Sequence, residues 1–240
     1  MGESGVTPAS RVLEIGPGKG ILTRALLHAG AVVHAVELDA ELCARLAEET
    51  RGEKNFTLER GNALRFDFGS LEPPYAIVSN LPYSVATALL KKFIENAKFI
   101  SSMTLMVQAE VGERITAKPG GAHYGSFSVY AGYHLETSYL FTVPPDAFRP
   151  RPRVNSAVIR LVPRKTPPVE LDDEDEFFRF VHTAFTHRRK TMRNNLKNIW
   201  QGAEPVEEVL LKAGINPTAR PEEISLEKFA GIYGIFGKKD

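Results

Sequence analysis

One cysteine in 240 residues leaves no partner for an internal disulfide. That absence suits a reducing compartment, and a cytoplasmic location is expected. Cys43 falls in Leu42-Cys43-Ala44-Arg45-Leu46, a helical stretch, where a thiol reads as a small buried hydrophobe rather than a nucleophile. No apolar run approaches the roughly 18 residues of a membrane-spanning helix, so no membrane partner is expected. No basic segment followed by an apolar stretch opens the chain, which argues against a secretory signal. The six histidines show no metal-ligand spacing, so no metal is expected. Repeats and low-complexity tracts are lacking too. Net charge is only +1, which excludes a uniformly basic nucleic-acid binder.

What is present is enough to build a core: 43% apolar and 25% charged residues suit a packed globular chain. The charge is unevenly placed. Residues 146–165 hold six cations (Arg149, Arg151, Arg153, Arg160, Arg164, Lys165) against Asp146 alone. Residues 187–197 hold five (Arg188, Arg189, Lys190, Arg193, Lys197) and no acid, while 172–176 is five consecutive acids. A balanced total with concentrated positive patches is compatible with a polyanionic partner.

Strand-like and helix-like segments alternate over the first two-thirds. Strands are expected at 11–15, 32–38, 56–59, 75–79, 103–107 and 155–162, with helices at 21–28, 39–50 and 85–96. Such alternation predicts an α/β fold, a mostly parallel Rossmann-like sheet with helices on both faces. The proline-rich stretch 162–168 reads as a linker. Beyond it the pattern is helical only, with helices expected at 191–200, 205–213 and 225–235. Gly202 and Gly214 are expected as helix stops. The acidic run from Asp172 suits a helix N-terminus and is read as a solvated cap without partners. The expected domains are therefore 1–165 and a small all-helical 172–240.

Val12-Leu13-Glu14-Ile15-Gly16-Pro17-Gly18-Lys19-Gly20 ends a strand and opens a helix. Glycines at 16, 18 and 20 let the backbone turn sharply against a ligand. Their spacing is not that of dinucleotide sites, so the ligand has no pyrophosphate to hold. Glu37 lies 21 residues past Gly16 at a strand end. An acid about 20 residues on is where such sheets bind ribose hydroxyls. Glu14, inside an apolar strand, needs polar partners that loop amides or a ligand amino group can supply. In Gly61-Asn62-Ala63, Asn62 has both donor and acceptor for an adenine edge, or else simply forms a turn.

Asn80-Leu81-Pro82-Tyr83 ends the fourth strand. An exocyclic aromatic amine is a poor nucleophile because its lone pair is delocalised into the ring. The Asn80 side-chain oxygen and the Leu81 carbonyl can accept its two hydrogens and free that pair. Pro82 fixes the turn, and Tyr83 can stack on a base. Catalysis would rest on orientation and electrostatics, without metal or covalent intermediate.

These segments resemble the KsgA/RsmA ribosomal RNA adenine dimethyltransferases, relatives of the Erm methyltransferases. The likeness covers the glycine loop, Glu37-Leu38-Asp39 and residues 80–83. It continues through Gln108-Ala109-Glu110-Val111-Gly112-Glu113-Arg114, Tyr124-Gly125-Ser126-Phe127-Ser128-Val129, and residues 143–158 and 184–196. The Tyr-Gly and His-Arg-Arg-Lys segments favour the KsgA branch over Erm.

The resemblance implies dimethylation of two adjacent adenines in the 3′-terminal hairpin loop of small-subunit (16S) rRNA. The methyl donor would be S-adenosylmethionine and the partner an immature 30S-type subunit, with the protein a monomer. It implies cofactor contacts by Glu14, Gly16, Gly18, Gly20, Glu37, Leu38, Asn62, Ala63 and Asn80. Tyr83 and Phe148 would sandwich the target base beside Asn80, Leu81 and Pro82. RNA contacts are expected from Arg149, Arg151 and Arg153, a stiff basic strip broken by prolines, and from Arg188, Arg189 and Lys190.

Two departures stand out. Asn62 replaces the usual Asp. The family's N-terminal segment with a Gly-Gln-(Asn/His)-Phe-Leu motif has no counterpart before the first strand, so that lid is expected to be absent from this sequence. The competing functions are an Erm-like, DNA or protein amide N-methyltransferase and a non-catalytic ribosome assembly factor. Leu81 and the Phe148 strip argue against a DNA or amide substrate.

Overall fold

The computed structural model describes residues 2–197, 199–200 and 204–236. Gly202, expected as a helix stop, lies outside them, as does Asn198 of the helix expected at 191–200. The chain divides into two compact units, Met1–Gly112 with Leu135–Pro163, and Glu113–His134 with Arg164–Asp240. The expected boundary at residue 165 groups residues 113–134 with the sheet on linear order. They pack within the second unit because Tyr124, Val129 and Tyr133 belong to its hydrophobic core.

The first unit is built on seven strands: β1 (Arg11–Ile15), β2 (Val32–Glu37), β3 (Phe56–Arg60), β4 (Tyr75–Asn80), β5 (Ile100–Gln108), β6 (Leu135–Val143) and β7 (Ser156–Pro163). Their order in the sheet is β3-β2-β1-β4-β5-β7-β6. The first five run parallel, and β7 is antiparallel to both its neighbours. Val12, Leu13, Glu14 and Ile15 are buried in succession, which requires cover on both faces of the sheet. On one face Leu26 of helix α1 (Ile21–His28) packs with Val12, Val33 and Val78.

Helix α2 (Ala40–Glu49) starts where expected, because the Asp39 carboxylate accepts the Glu41 and Leu42 amides at 2.8 and 3.0 Å. Helix α3 (Ala86–Glu95) follows the fourth strand. Helices α4 (Ala109–Thr116) and α5 (Ser126–His134) and strand β6 have no counterpart among the elements expected from sequence. β6 is an edge strand with a shift of register between Tyr139 and Phe141, and its inward residues do not alternate cleanly.

The second unit is helical: α6 (Glu174–Ala184), α7 (Met192–Leu196), α8 (Val206–Lys212) and α9 (Leu226–Phe236), together with α5. Phe177, Val181, Met192, Leu196, Leu210, Phe229 and Ile232 form its core. The Asp173 carboxylate caps α6 by accepting the Glu176 amide at 2.8 Å. The acidic run is not partnerless, however. The Tyr133 and Tyr233 hydroxyls donate to Glu174 and Glu176 at 3.0 and 2.9 Å. Burial pushes both phenols up to about 12, and the neighbouring carboxylates push the same way. Gly214, at φ 68°, closes α8 as expected.

Candidate active site

Four loops meet side by side at the carboxyl edge of the sheet, because β3, β2, β1 and β4 are consecutive and parallel. Ligands bind at this edge in such sheets. Gly16, Gly18 and Gly20 all have positive φ, between 57° and 72°, so glycine is required by the turn itself. Nothing lies within 4 Å of where a Cβ on Gly18 would stand, which leaves an open cradle at the loop's tip.

The Glu37 carboxylate organises this edge. It accepts the Gly18 amide at 3.0 Å and the Leu38 and Asp39 amides at 2.8 and 3.0 Å. One side chain thus ties the loop after β1 to the end of β2. The Gly61 amide donates to the Glu37 carbonyl at 2.8 Å and brings the loop after β3 alongside. There Asn62 adopts its turn-forming role: its side-chain oxygen accepts the Leu64 amide at 3.0 Å. Its amide donors are not committed by that bond.

Glu14 is buried at 1% exposure, and the Thr23 hydroxyl donates to it at 2.7 Å. Burial pushes the carboxyl up to about 7. The Thr23 bond pulls it back in part, and the Glu37 charge adds to the rise.

The tip of β4 abuts the glycine loop. A Cβ on Gly16 would stand 3.2 Å from Pro82 Cγ, so the two motifs are in contact. The Ser79 hydroxyl donates to the Ile15 carbonyl at 2.5 Å and pins the ends of β4 and β1 together. Leu81 is buried, and its amide donates to the Met106 carbonyl at 3.0 Å, which anchors the turn on β5. Tyr83 is half-buried, its hydroxyl 2.5 Å from Ser156 Oγ.

A cavity of about 860 Å³ opens between these features. Of the expected residues, Glu14, Gly16, Gly18, Asn80, Phe148 and Arg149 line it. Leu105 and Met106 of β5, Ile21 and Leu22 of α1, Phe141 of β6 and Gly2–Ser4 complete much of its wall. Glu37, Leu38, Asn62, Ala63, Gly20, Leu81, Pro82, Tyr83, Arg151 and Arg153 stand outside the lining. Glu37 joins it through Gly18, and Pro82 through Gly16. Arg151 is paired with Asp146 at 3.0 Å.

Arg188, Arg189 and Lys190 belong to the second unit. There Arg188 is exposed and one of its guanidinium nitrogens donates to the carbonyls of Ala122 and Tyr124 at 2.9 and 3.2 Å, which braces a loop. Arg189 and Lys190 are exposed. Among the described residues no group of three or more His, Cys, Asp or Glu is arranged to hold a metal ion. None of the described helices is long and apolar enough to cross a membrane.

Comparison with known proteins adds to this geometry. The family model described as ribosomal RNA adenine dimethylase matches residues 2–238. The ribosomal RNA small subunit methyltransferase A of Alcanivorax borkumensis is 43% identical over 234 residues, 96% of this chain and 81% of that protein. The protein of the same name from Moorella thermoacetica is 42% identical, covering 95% of this chain and 83% of the relative. Among solved structures, the 23S rRNA methyltransferase ErmE aligns with a TM-score of 0.79 at 25% identity, over 99% of this chain and 95% of that one. A Plasmodium falciparum dimethyladenosine transferase aligns with a TM-score of 0.82 at 22% identity, over 98% and 92% of the two chains, and shares the fold. With a family model spanning nearly the whole chain and relatives above two-fifths identity, the chain belongs to the ribosomal RNA adenine dimethylase family.

Proposed function

We propose that the chain transfers methyl groups from S-adenosylmethionine to the exocyclic amines of two adjacent adenines in the 3′-terminal loop of small-subunit rRNA. The carrying observation is the contact of Gly16 with Pro82 at the wall of one cavity that also takes in Asn80 and Phe148. A methyl donor and a base held by those two motifs would be adjacent. The names of the relatives support the RNA substrate.

The residues present fit the cofactor. The open space at Gly18 admits a ligand's bulk, Glu37 offers carboxylate oxygens beside it, and Glu14 offers a buried acid on the cavity wall. When bound, S-adenosylmethionine supplies an electrophilic methyl group on a sulfonium. In this reading Glu37 and Asn62 hold the nucleoside, with Leu38 and Ala63 against it, and Glu14 faces the amino-acid end. The Asn80 oxygen and Leu81 carbonyl would accept hydrogen bonds from the N–H groups of the adenine amine, turning its lone pair toward the methyl. Tyr83 and Phe148 hold the base between their rings. An unpaired loop adenine enters such a pocket at low unstacking cost. The volume falls in the range of roughly 300–1,000 Å³ usual for ligand sites. Arg149 beside Phe148, with Arg151 and Arg153, meets the backbone of the loop; Arg189 and Lys190 supply further cations.

The proposal includes a cytoplasmic monomer acting on immature small subunits without a metal. The lone buried Cys43, which needs no oxidising compartment, supports the cytoplasmic part of it. The test is transfer of labelled methyl groups from S-adenosylmethionine to immature small subunits, DNA and protein in parallel. Transfer to the small subunits alone is expected. Binding to them without transfer, or transfer to DNA or protein instead, contradicts the reading.

A further inference from the structure

Ser156 has no assigned part in the site, yet it is fully buried at the first position of β7 and its hydroxyl meets Tyr83 Oη at 2.5 Å. We infer that Ser156 is a positioning residue, and that its bond to Tyr83 is a strut fixing a ring that stands just outside the cavity lining and is read above as stacking on the base. The inference rests on the reading of Tyr83 given above.

Tyr83 lies beyond the end of β4, in a turn, and is only half-buried. Packing alone leaves such a ring free to swing about its two side-chain torsions. The contact lies at the short end of the range for hydroxyl pairs and holds the far end of the ring. Its anchor is rigid: β7 pairs with both β5 and β6, and Ser156 sits opposite Gln108 on one side and Val143 on the other. The bond therefore spans from the β4 tip past β5 to β7, joining residues 73 apart in sequence. Phe148 lies on the connection between Val143 and Ser156. Ser156 ends the same connection that carries Phe148, so the strut fixes the Tyr83 ring relative to the base of the connection whose Phe148 lines the cavity. A hydroxyl committed to Ser156 is also not aimed at the substrate, which leaves the ring face as Tyr83's contribution.

The test is a double-mutant cycle with Ser156→Ala and Tyr83→Phe, read as methyl transfer to immature small subunits together with cofactor Kd and Tm. Each single variant is expected to lower kcat by about tenfold, the scale of one lost hydrogen bond. Cofactor Kd should stay unchanged, and the double variant should be no worse than either single one. If Ser156→Ala fails to fold, Tyr83→Phe removes the same bond from the half-buried side. Full activity of Tyr83→Phe overturns the strut. A much larger loss in Tyr83→Phe than in Ser156→Ala also overturns it, because the hydroxyl would then act on substrate. So does an undiminished effect of Ser156→Ala in the Tyr83→Phe background, because packing alone would explain it. Wild-type protein that transfers no methyl refutes the functional reading instead, which keeps the two failures apart.

Discussion

At the scale of single residues, Glu14 and Asn62 carry the clearest consequences. Burial holds Glu14 at about 7 in the fold against 4.5 for the free side chain. Between those values the native state keeps a proton that the unfolded chain has lost. Stability from this group is therefore full below pH 4.5 and lost as pH rises toward 7, by up to about 3 kcal/mol. Denaturant titrations at pH 5 and pH 8 should show wild type losing more stability across that interval than Glu14→Gln; equal losses would contradict the assignment. Asn62 uses its oxygen on the Leu64 amide, and an aspartate keeps that bond while adding charge. Cofactor titration should show Asn62→Asp binding several-fold more tightly, since charge-assisted bonds are roughly twice as strong as neutral ones. Equal affinity would end that idea. Glycines, Glu37 and Asn80 were legible because each sits where a strand stops, a position that sequence pattern reveals. Thr23, Ser79 and Ser156 were not, because the partners that give them meaning lie 9, 64 and 73 residues away. A lone hydroxyl in an apolar run carries no local mark of such a partner.

At the scale of elements, what could be read followed from periodicity. β1, β2, β4 and β7 are dense in buried apolar residues and were placed within a residue or two. β6 escaped because an edge strand with one buried residue lacks the pattern. α5 escaped because Phe127, Val129, Tyr130, Ala131 and Tyr133 fall on every side of it, leaving no apolar stripe to recognise. The glycine turn before α1 is a second element-level constraint. A Cβ on Gly20 would lie 2.5 Å from Leu46 Cδ1, and Gly20 has φ 72°. Leu46 is itself core, with little room to move. Gly20→Ala is expected to cost about 1–3 kcal/mol in thermal or chemical unfolding; an unchanged melting curve would show that the turn relaxes freely.

At the scale of the whole molecule, the near-zero net charge hides separate roles for neighbouring cations. All three of Arg188, Arg189 and Lys190 are exposed, but Arg188 alone is tied to the carbonyls at 122 and 124 by the bonds described above. Replacing Arg189 and Lys190 together by Ala should flatten the salt dependence of RNA binding by roughly one to two in log–log slope. Arg188→Ala should instead speed hydrogen exchange around Tyr124. The reverse pattern would contradict this division of labour. Chain order does not mark the limits of the compact units, because residues 113–134 follow the sheet strands in sequence yet bury Tyr124 and Tyr133 in the helical core. The central claim, that the glycine loop and the β4 tip serve one cavity holding donor and acceptor together, has a direct test. Immature small subunits incubated with S-adenosylmethionine and the protein can be digested and their modified nucleotides mapped by mass spectrometry. The account predicts N6,N6-dimethyladenosine at two adjacent loop positions with wild type, and a loss of at least about a hundredfold with Asn80→Ala, the scale of one removed transition-state acceptor. Undiminished dimethylation by Asn80→Ala would contradict it.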